Sequence, residues 1–297
     1  MTQQPVEKWL QYTHLDKLYG YLPGITEALP TVFGLSPAEY GDVLAGFAAH
    51  AESAAGDLLA DPGFAAAVDA LPFETGQTVL AVGDSITDDL QGWAEILRHL
   101  LGQRRPDLGV QVVNGGLSAH TTAMVLRRWP ATVAATRPAW VLCALGGNDV
   151  TRVGPEPSTT QVPLAESVTN LRRMQVIAPD PRWIWFTPVP VREDRVAAFP
   201  PFRFGNSTWR NDDIVALANA IRGLGDTVVD LVGTFGVPAH PDLQGDDGVH
   251  PSLEGQAAIA RTLVEQMATA PGPAGPGRAP ATVQPENVGR SRTAGTR

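Results

Sequence analysis

The chain has 297 residues, 43% hydrophobic and 18% charged, the make-up of an ordinary globular protein with apolar material for one large domain plus extra segments. Its formal charge of −9 disfavours nucleic acid and anionic membrane surfaces as partners. Cys143 is the single cysteine, which excludes an intrachain disulfide, and no apolar run approaches the length of a membrane span.

Residues 1–34 mix aromatics with Pro and Gly (Trp9, Tyr12, Tyr19, Tyr21, Pro23, Pro30, Phe33) and read as short helical turns packed on a larger body. No basic stretch followed by an apolar one opens the chain, so the expected location is cytoplasmic, with no stable membrane insertion. Ser36-Pro37-Ala38-Glu39 has the form of an N-cap, a first-position proline and a first-turn acid, and predicts an Ala-rich helix to about Leu59. Asp61-Pro62 starts a second helix that Pro72 ends. Residues 1–76 are therefore read as an N-terminal helical extension, either a layer on the flank of the core or a cap over a substrate.

From residue 77 the pattern becomes α/β. Short continuous apolar runs at 78–82, 110–114, 140–145, 183–187 and 227–231 are of the kind that forms parallel strands covered on both faces. Helices are expected between them. Trp93, Ile96, Leu97, Leu100 and Leu101 share one face of a helix ended by Gly102. Residues 122–136, bent or interrupted at Pro130, then 164–177, 211–224 and 252–268 follow. The expectation is a doubly wound three-layer α/β/α domain over 77–267 with a five-stranded parallel sheet. Residues 268–297, rich in Pro, Gly, Ala, Thr and Arg, lack the large apolar side chains needed to offset ordering entropy and are expected to be a disordered tail.

The first apolar run stops at Gly83-Asp84-Ser85, and a serine at the carboxyl end of a buried strand is where open α/β sheets place chemistry. A hydroxyl needs a base, a group that orients the base, and donors for the oxyanion it creates. Candidates for those parts stand at or beyond later strand ends. They are Asn114-Gly115-Gly116-Leu117-Ser118 after the second run, Gly146-Gly147-Asn148-Asp149 after the third, and Asp247-Gly248-Val249-His250 before the last helix. The bland reading of Ser85 is a helix cap. His120 lies near the same rim and His240 precedes a proline, but neither follows a carboxylate three residues earlier, as His250 does. Asp84, Asp88, Asp89, Asp149, Asp247 and His250 could be weighed as metal ligands, yet their spacing is not that of a zinc or hard-cation site, and no nucleotide-binding glycine motif follows the first strand. No cofactor and no metal are expected.

These ordered blocks resemble the SGNH (GDSL-type) hydrolase family: Gly83-Asp84-Ser85-Ile86, then Gly116, then Gly146-Gly147-Asn148-Asp149, then Asp247-Gly248-Val249-His250. The resemblance covers 77–267, and Ala119 stands where many members have a further glycine. It implies a flavodoxin-like sandwich whose five parallel strands are ordered 2-1-3-4-5, and a serine esterase acting on a small-molecule ester of small or medium acyl group. Ser85 would be nucleophile, His250 the base and Asp247 its orienting carboxylate, with an oxyanion hole of the Ser85 and Gly116 backbone N–H groups and the Asn148 side-chain amide. An acyltransferase with the same triad, or an inactive binding protein of the same fold, would carry the same blocks. Asp84 and Asp149 are read as braces for their loops, and Cys143 as a packing residue. The Pro-rich, aromatic insertion 188–209 is read either as the wall of an acyl or leaving-group pocket or as a loop packed on the body. Arg192, Arg195, Arg203 and Arg210 in or beside it are read as solvated.

Overall fold

A computed structural model describes residues 6–154, 159–225 and 227–269. Seven strands occur in it, in chain order β1 (Thr78–Gly83), β2 (Gln111–Asn114), β3 (Trp140–Ala144), β4 (Arg152–Val153), β5 (Arg182–Phe186), β6 (Ser207–Thr208) and β7 (Val228–Val229). Five of them form one parallel sheet in the order β2-β1-β3-β5-β7, which is 2-1-3-4-5 when its members are counted along the chain. The register is continuous across the centre: Val82 lies opposite Cys143, and Cys143 opposite Trp185.

Because successive strand residues point to opposite faces, each central strand feeds two cores. Val79 and Ala81 of β1, Trp140 and Leu142 of β3, and Ile184 and Phe186 of β5 pack on one face with the helices Pro37–Leu59, Pro62–Asp69, Trp93–Arg104 and Leu253–Thr269. Leu80, Val82, Val141, Cys143 and Trp185 face the other way, against helices Thr122–Thr136, Leu164–Ile177 and Asn211–Ile221. Full burial of a large aliphatic or aromatic side chain contributes about 1.5–3 kcal/mol, so the paired cores of a sheet buried on both faces account for its continuous apolar runs. Cys143 is 1% exposed, and burial pushes its thiol pKa far up, so it packs in the unreactive thiol form.

Local signals acted as chemistry dictates at several helix starts. Ser36 and Glu39 make a reciprocal capping box at the head of Pro37–Leu59, and Asp61 caps Pro62–Asp69 through the amides of Gly63 and Phe64. One helix end is not where the sequence suggests. Gly102 does not end its helix, which continues to Arg104; Arg104 pairs with Asp69, and Arg105 donates to the carbonyls of Leu71 and Phe73, so tertiary contacts hold the last turn. Thr122–Thr136 spans the expected residues without interruption at Pro130, its middle pinned by the fully buried Trp129 donating from Nε1 to Met174 O at 2.8 Å. Ala268 and Thr269, assigned to the tail, complete the last helix, and the rest of that tail lies outside the described residues.

One small element was not anticipated. β4 and β6 pair antiparallel, and Arg152 donates to both carboxylate oxygens of Asp213 at 2.8 and 2.9 Å, tying the end of the 188–209 insertion to the loop after β3. Among the described residues no helix is long and apolar enough to cross a membrane.

Candidate active site

β1 reaches its carboxyl end at Gly83, where a side chain is impossible: a Cβ would lie 2.0 Å from Thr87 Oγ1 and 2.9 Å from the Ala144 carbonyl. That glycine lets the chain turn sharply into the short helix Ser85–Asp88, which Asp84 caps by accepting from the Ile86 amide at 3.1 Å. Ser85 is thereby held at the first helical position on the sheet rim. Its hydroxyl meets His250 Nε2 at 2.9 Å, and His250 Nδ1 meets Asp247 Oδ2 at 2.8 Å. Residues 165 positions apart in the chain are thus joined in one relay.

The loop carrying the imidazole is built for this placement. Asp247 Oδ1 accepts from the amides of Val249 and His250, both at 2.9 Å, fixing the carboxylate before it meets the ring. Gly248 adopts φ +75°, and a Cβ there would lie 2.5 Å from the Arg192 carbonyl. Arg195, read from sequence as solvated, instead sends Nη1 to the carbonyls of Pro241, Gln244 and Gly245 and clamps the loop's base. Arg192 pairs with Asp194, while Arg203 and Arg210 are exposed.

The electrostatics follow from burial and pairing. Burial opposes a charge on His250, but the Asp247 carboxylate beside it outweighs that penalty and raises the imidazole pKa above its usual value. Burial likewise opposes the Asp247 anion, yet the His250 charge and the hydrogen bonds from the imidazole and the two amides hold it well below the ordinary carboxylate range. Asp84 is different: burial pushes it up to about 6.

Gly116 is not brought into the site. Its amide donates to Asn114 Oδ1 at 3.0 Å, and the residue is buried with its Cα pressed on the serine turn, where a Cβ would lie 2.5 Å from the Asp88 amide nitrogen. Close packing on the Asp88 backbone by itself requires a glycine there. Three residues on, Ala119 lies exposed on the cavity wall with φ 64°, a left-handed conformation uncommon for alanine. Among the described residues its amide makes no hydrogen bond. Asn148 does reach the site, and its Nδ2 also donates to the His120 carbonyl at 3.2 Å, which orients the amide. His120 itself stays off the cavity wall, and the His240 side chain is 61% exposed.

The remaining acids brace loops. Asp149 accepts from the Thr122 amide at 2.7 Å and hydroxyl at 2.6 Å. Asp88 takes His14 and Lys17 on one oxygen and the Ser118 amide and hydroxyl on the other. Asp89 is bonded by Gln11 and Gln256. Pointing to different partners, these carboxylates do not converge, and among the described residues no group of three or more His, Cys, Asp or Glu is arranged to hold a metal ion.

Ser85, His250, Asp247 and Asn148 open on one cavity of about 480 Å³. Phe199, Phe202 and Trp209 of the insertion form part of its wall, with Trp209 Nε1 fixed on the Gly147 carbonyl at 2.9 Å. Lys8, Trp9, Tyr12 and Thr13, from the N-terminal segment expected to be either a flanking layer or a substrate cap, line the same cavity, although none of them stood out in the sequence as a site residue. The aromatic density of that segment was visible, but no motif or period connected it to a strand end.

Such a relay, a serine hydroxyl on an imidazole on a carboxylate beside the Ala119 amide and the Asn148 side chain, is the arrangement of a nucleophilic hydrolase on a flavodoxin-like sandwich. The model of the GDSL-like Lipase/Acylhydrolase family matches residues 81–258, and the chain belongs to that family. It is 41% identical over 101 residues to esterase TesA of Pseudomonas aeruginosa, covering 32% of this chain and 49% of that protein. It is 35% identical over 92 residues to an acetylxylan esterase of Geobacillus stearothermophilus, covering 26% of this chain and 42% of that protein. The matched region thus spans about half the length of these two relatives or less. In fold, the chain resembles an α/β hydrolase enzyme from the metagenome of Lake Arreo, Spain, with a TM-score of 0.54 at 22% identity, over 66% of this chain and 97% of that one.

Proposed function

We propose that the protein is a carboxylic ester hydrolase that works through a Ser85-His250-Asp247 triad and an acyl-enzyme. The observation that carries this reading is the unbroken pair of hydrogen bonds, 2.9 Å from hydroxyl to Nε2 and 2.8 Å from Nδ1 to carboxylate, at the floor of a cavity. Ser85 Oγ attacks the ester carbonyl and passes its proton to His250 Nε2. The tetrahedral intermediate places its negative oxygen among the amides of Ser85 and Ala119 and the Asn148 side chain, Ala119 taking the role first assigned to Gly116. Each such donor lowers the barrier by about 2.7–4 kcal/mol. His250 then returns the proton to the departing alkoxide, leaving Ser85 acylated. Water, deprotonated by the same nitrogen, attacks the acyl carbon, and the acid is released as the serine recovers its proton.

Asp247 stays ionised throughout, holding the tautomer whose Nε2 lone pair faces the hydroxyl and stabilising the imidazolium between the two transfers. The cavity volume suits an ester of small to medium acyl group. Ser85→Ala leaves the cap and the strand untouched, so the variant folds as the wild type does and loses p-nitrophenyl acetate turnover. A folded Ser85→Ala protein with wild-type kcat refutes the triad.

A further inference from the structure

The N-terminal segment is fastened to Asp88, the last residue of the short serine helix, and to Asp89 just after it. Leu10 and Gln11 are buried, Gln11 Nε2 lies 3.0 Å from both oxygens of Asp89, and Gln256 holds the second of these oxygens from the other side at 3.1 Å. His14 and Lys17 reach Asp88 at 2.6 and 2.5 Å. This registry sets the Tyr12 ring against the imidazole of His250, centroids 4.7 Å apart at 38°. Beside it Trp9 faces the cavity with 55% of its surface open, a large apolar side chain that the fold leaves uncovered. Phe199, Phe202 and Trp209 come to the same cavity from the insertion.

We propose that Trp9 and Tyr12, together with these insertion aromatics, form a subsite for a ring-bearing alcohol portion of the substrate, so that the preferred esters are those of aryl-substituted alcohols. The side is assigned by the imidazole. His250 Nε2 must protonate the departing oxygen, so the group packed on that ring borders the leaving alcohol. Aromatic faces on separate chain segments favour a flat ring, which stacks or meets them edge-on, over a flexible chain. The proposal rests on the esterase reading and specifies its substrate class.

The test compares kcat/KM for benzyl acetate and ethyl acetate, whose leaving alcohols are of similar intrinsic reactivity, by titrating released acid with the full-length enzyme. Wild type is expected to prefer the benzyl ester by about tenfold or more, the scale of one or two ring contacts. Trp9→Ala reduces that ratio at least threefold, mainly through KM, and Trp9→Phe restores most of it. Phe204→Ala, a 79% exposed neighbour that does not line the cavity, leaves the ratio unchanged. An enzyme active on p-nitrophenyl acetate that shows no benzyl preference, or whose preference survives Trp9→Ala, overturns the subsite and leaves the esterase reading standing. Absence of turnover on every ester removes the esterase reading itself.

Discussion

Replacing Asp247 by asparagine tests the relay at the point where geometry makes a quantitative demand. The two carboxylate oxygens do different work: Oδ1 receives the Val249 and His250 amides, and Oδ2 receives His250 Nδ1. An asparagine keeps its carbonyl oxygen on the two amides, which hold the loop, and turns its NH₂ toward Nδ1. Two donors cannot face each other, so the imidazole proton moves to Nε2, the nitrogen that must accept from Ser85. The base becomes a donor, and kcat for p-nitrophenyl acetate falls by about 10⁴, equivalent to about 5.5 kcal/mol of transition-state stabilisation. The pH profile gives a second reading. In the wild type the base is active only when neutral, so kcat/KM falls as pH drops through an imidazole pKa held above the usual value by Asp247. Without that charge burial dominates, and the acid limb of the residual activity moves to lower pH. A variant that keeps more than a tenth of wild-type kcat, or whose acid limb does not move, refutes the assignment of Asp247.

Three further outcomes follow from named contacts. Asn148→Ala removes a side-chain donor and lowers kcat by about 10²–10³ with KM little changed, measured by steady-state kinetics on p-nitrophenyl acetate; a drop confined to KM would contradict an oxyanion role. Gly116→Ala and Ala119→Gly separate the two loop positions: the first drives a Cβ to 2.5 Å from the Asp88 nitrogen and impairs folding or activity, whereas the second relieves a φ of 64° and raises unfolding stability by about 1 kcal/mol at retained activity. Urea unfolding of both variants checks this, and the reverse ranking would restore Gly116 as the ligand-facing residue. Asp84 is raised to about 6, so the folded protein binds a proton there that the unfolded chain, near 3.8, releases; stability from this group falls as pH rises from about 4 to about 6. Asp84→Asn keeps the Ile86 cap and removes that penalty, so its stability relative to wild type should improve by about 3 kcal/mol between pH 4 and pH 7, read by denaturant titration at both values.

The strand and most helix spans were legible in the sequence because each depends on a local rule, while the sheet order and the roles of the relay residues came from the resemblance of the ordered blocks to a family. Continuous apolar runs such as 140–144 must be buried on both faces, Ser36 and Asp61 satisfy helix amides next to them, and a strand that ends in Gly-Asp-Ser must turn where the sheet does. Gly116 is set apart from the other assigned residues because spacing reports that a residue is small, not why. Gly116 is small for the sake of Asp88, and Ala119 takes a left-handed turn that its composition does not advertise. Helix length past Gly102 was likewise decided by partners elsewhere in the chain, Asp69 among them.

What the amino-acid order determined by itself, then, was the layered α/β core and the strand-end loops that carry Ser85, Asn148, Asp247 and His250. Parallel strands place all their carboxyl ends on one rim, whatever covers them. The wall of the pocket was settled only in three dimensions. Gln11, His14 and Lys17 find Asp88 and Asp89 more than seventy positions away and lay Tyr12 on His250, through polar contacts with no periodicity along the chain. Contacts of that kind depend on where two surfaces meet after folding, which no local pattern encodes.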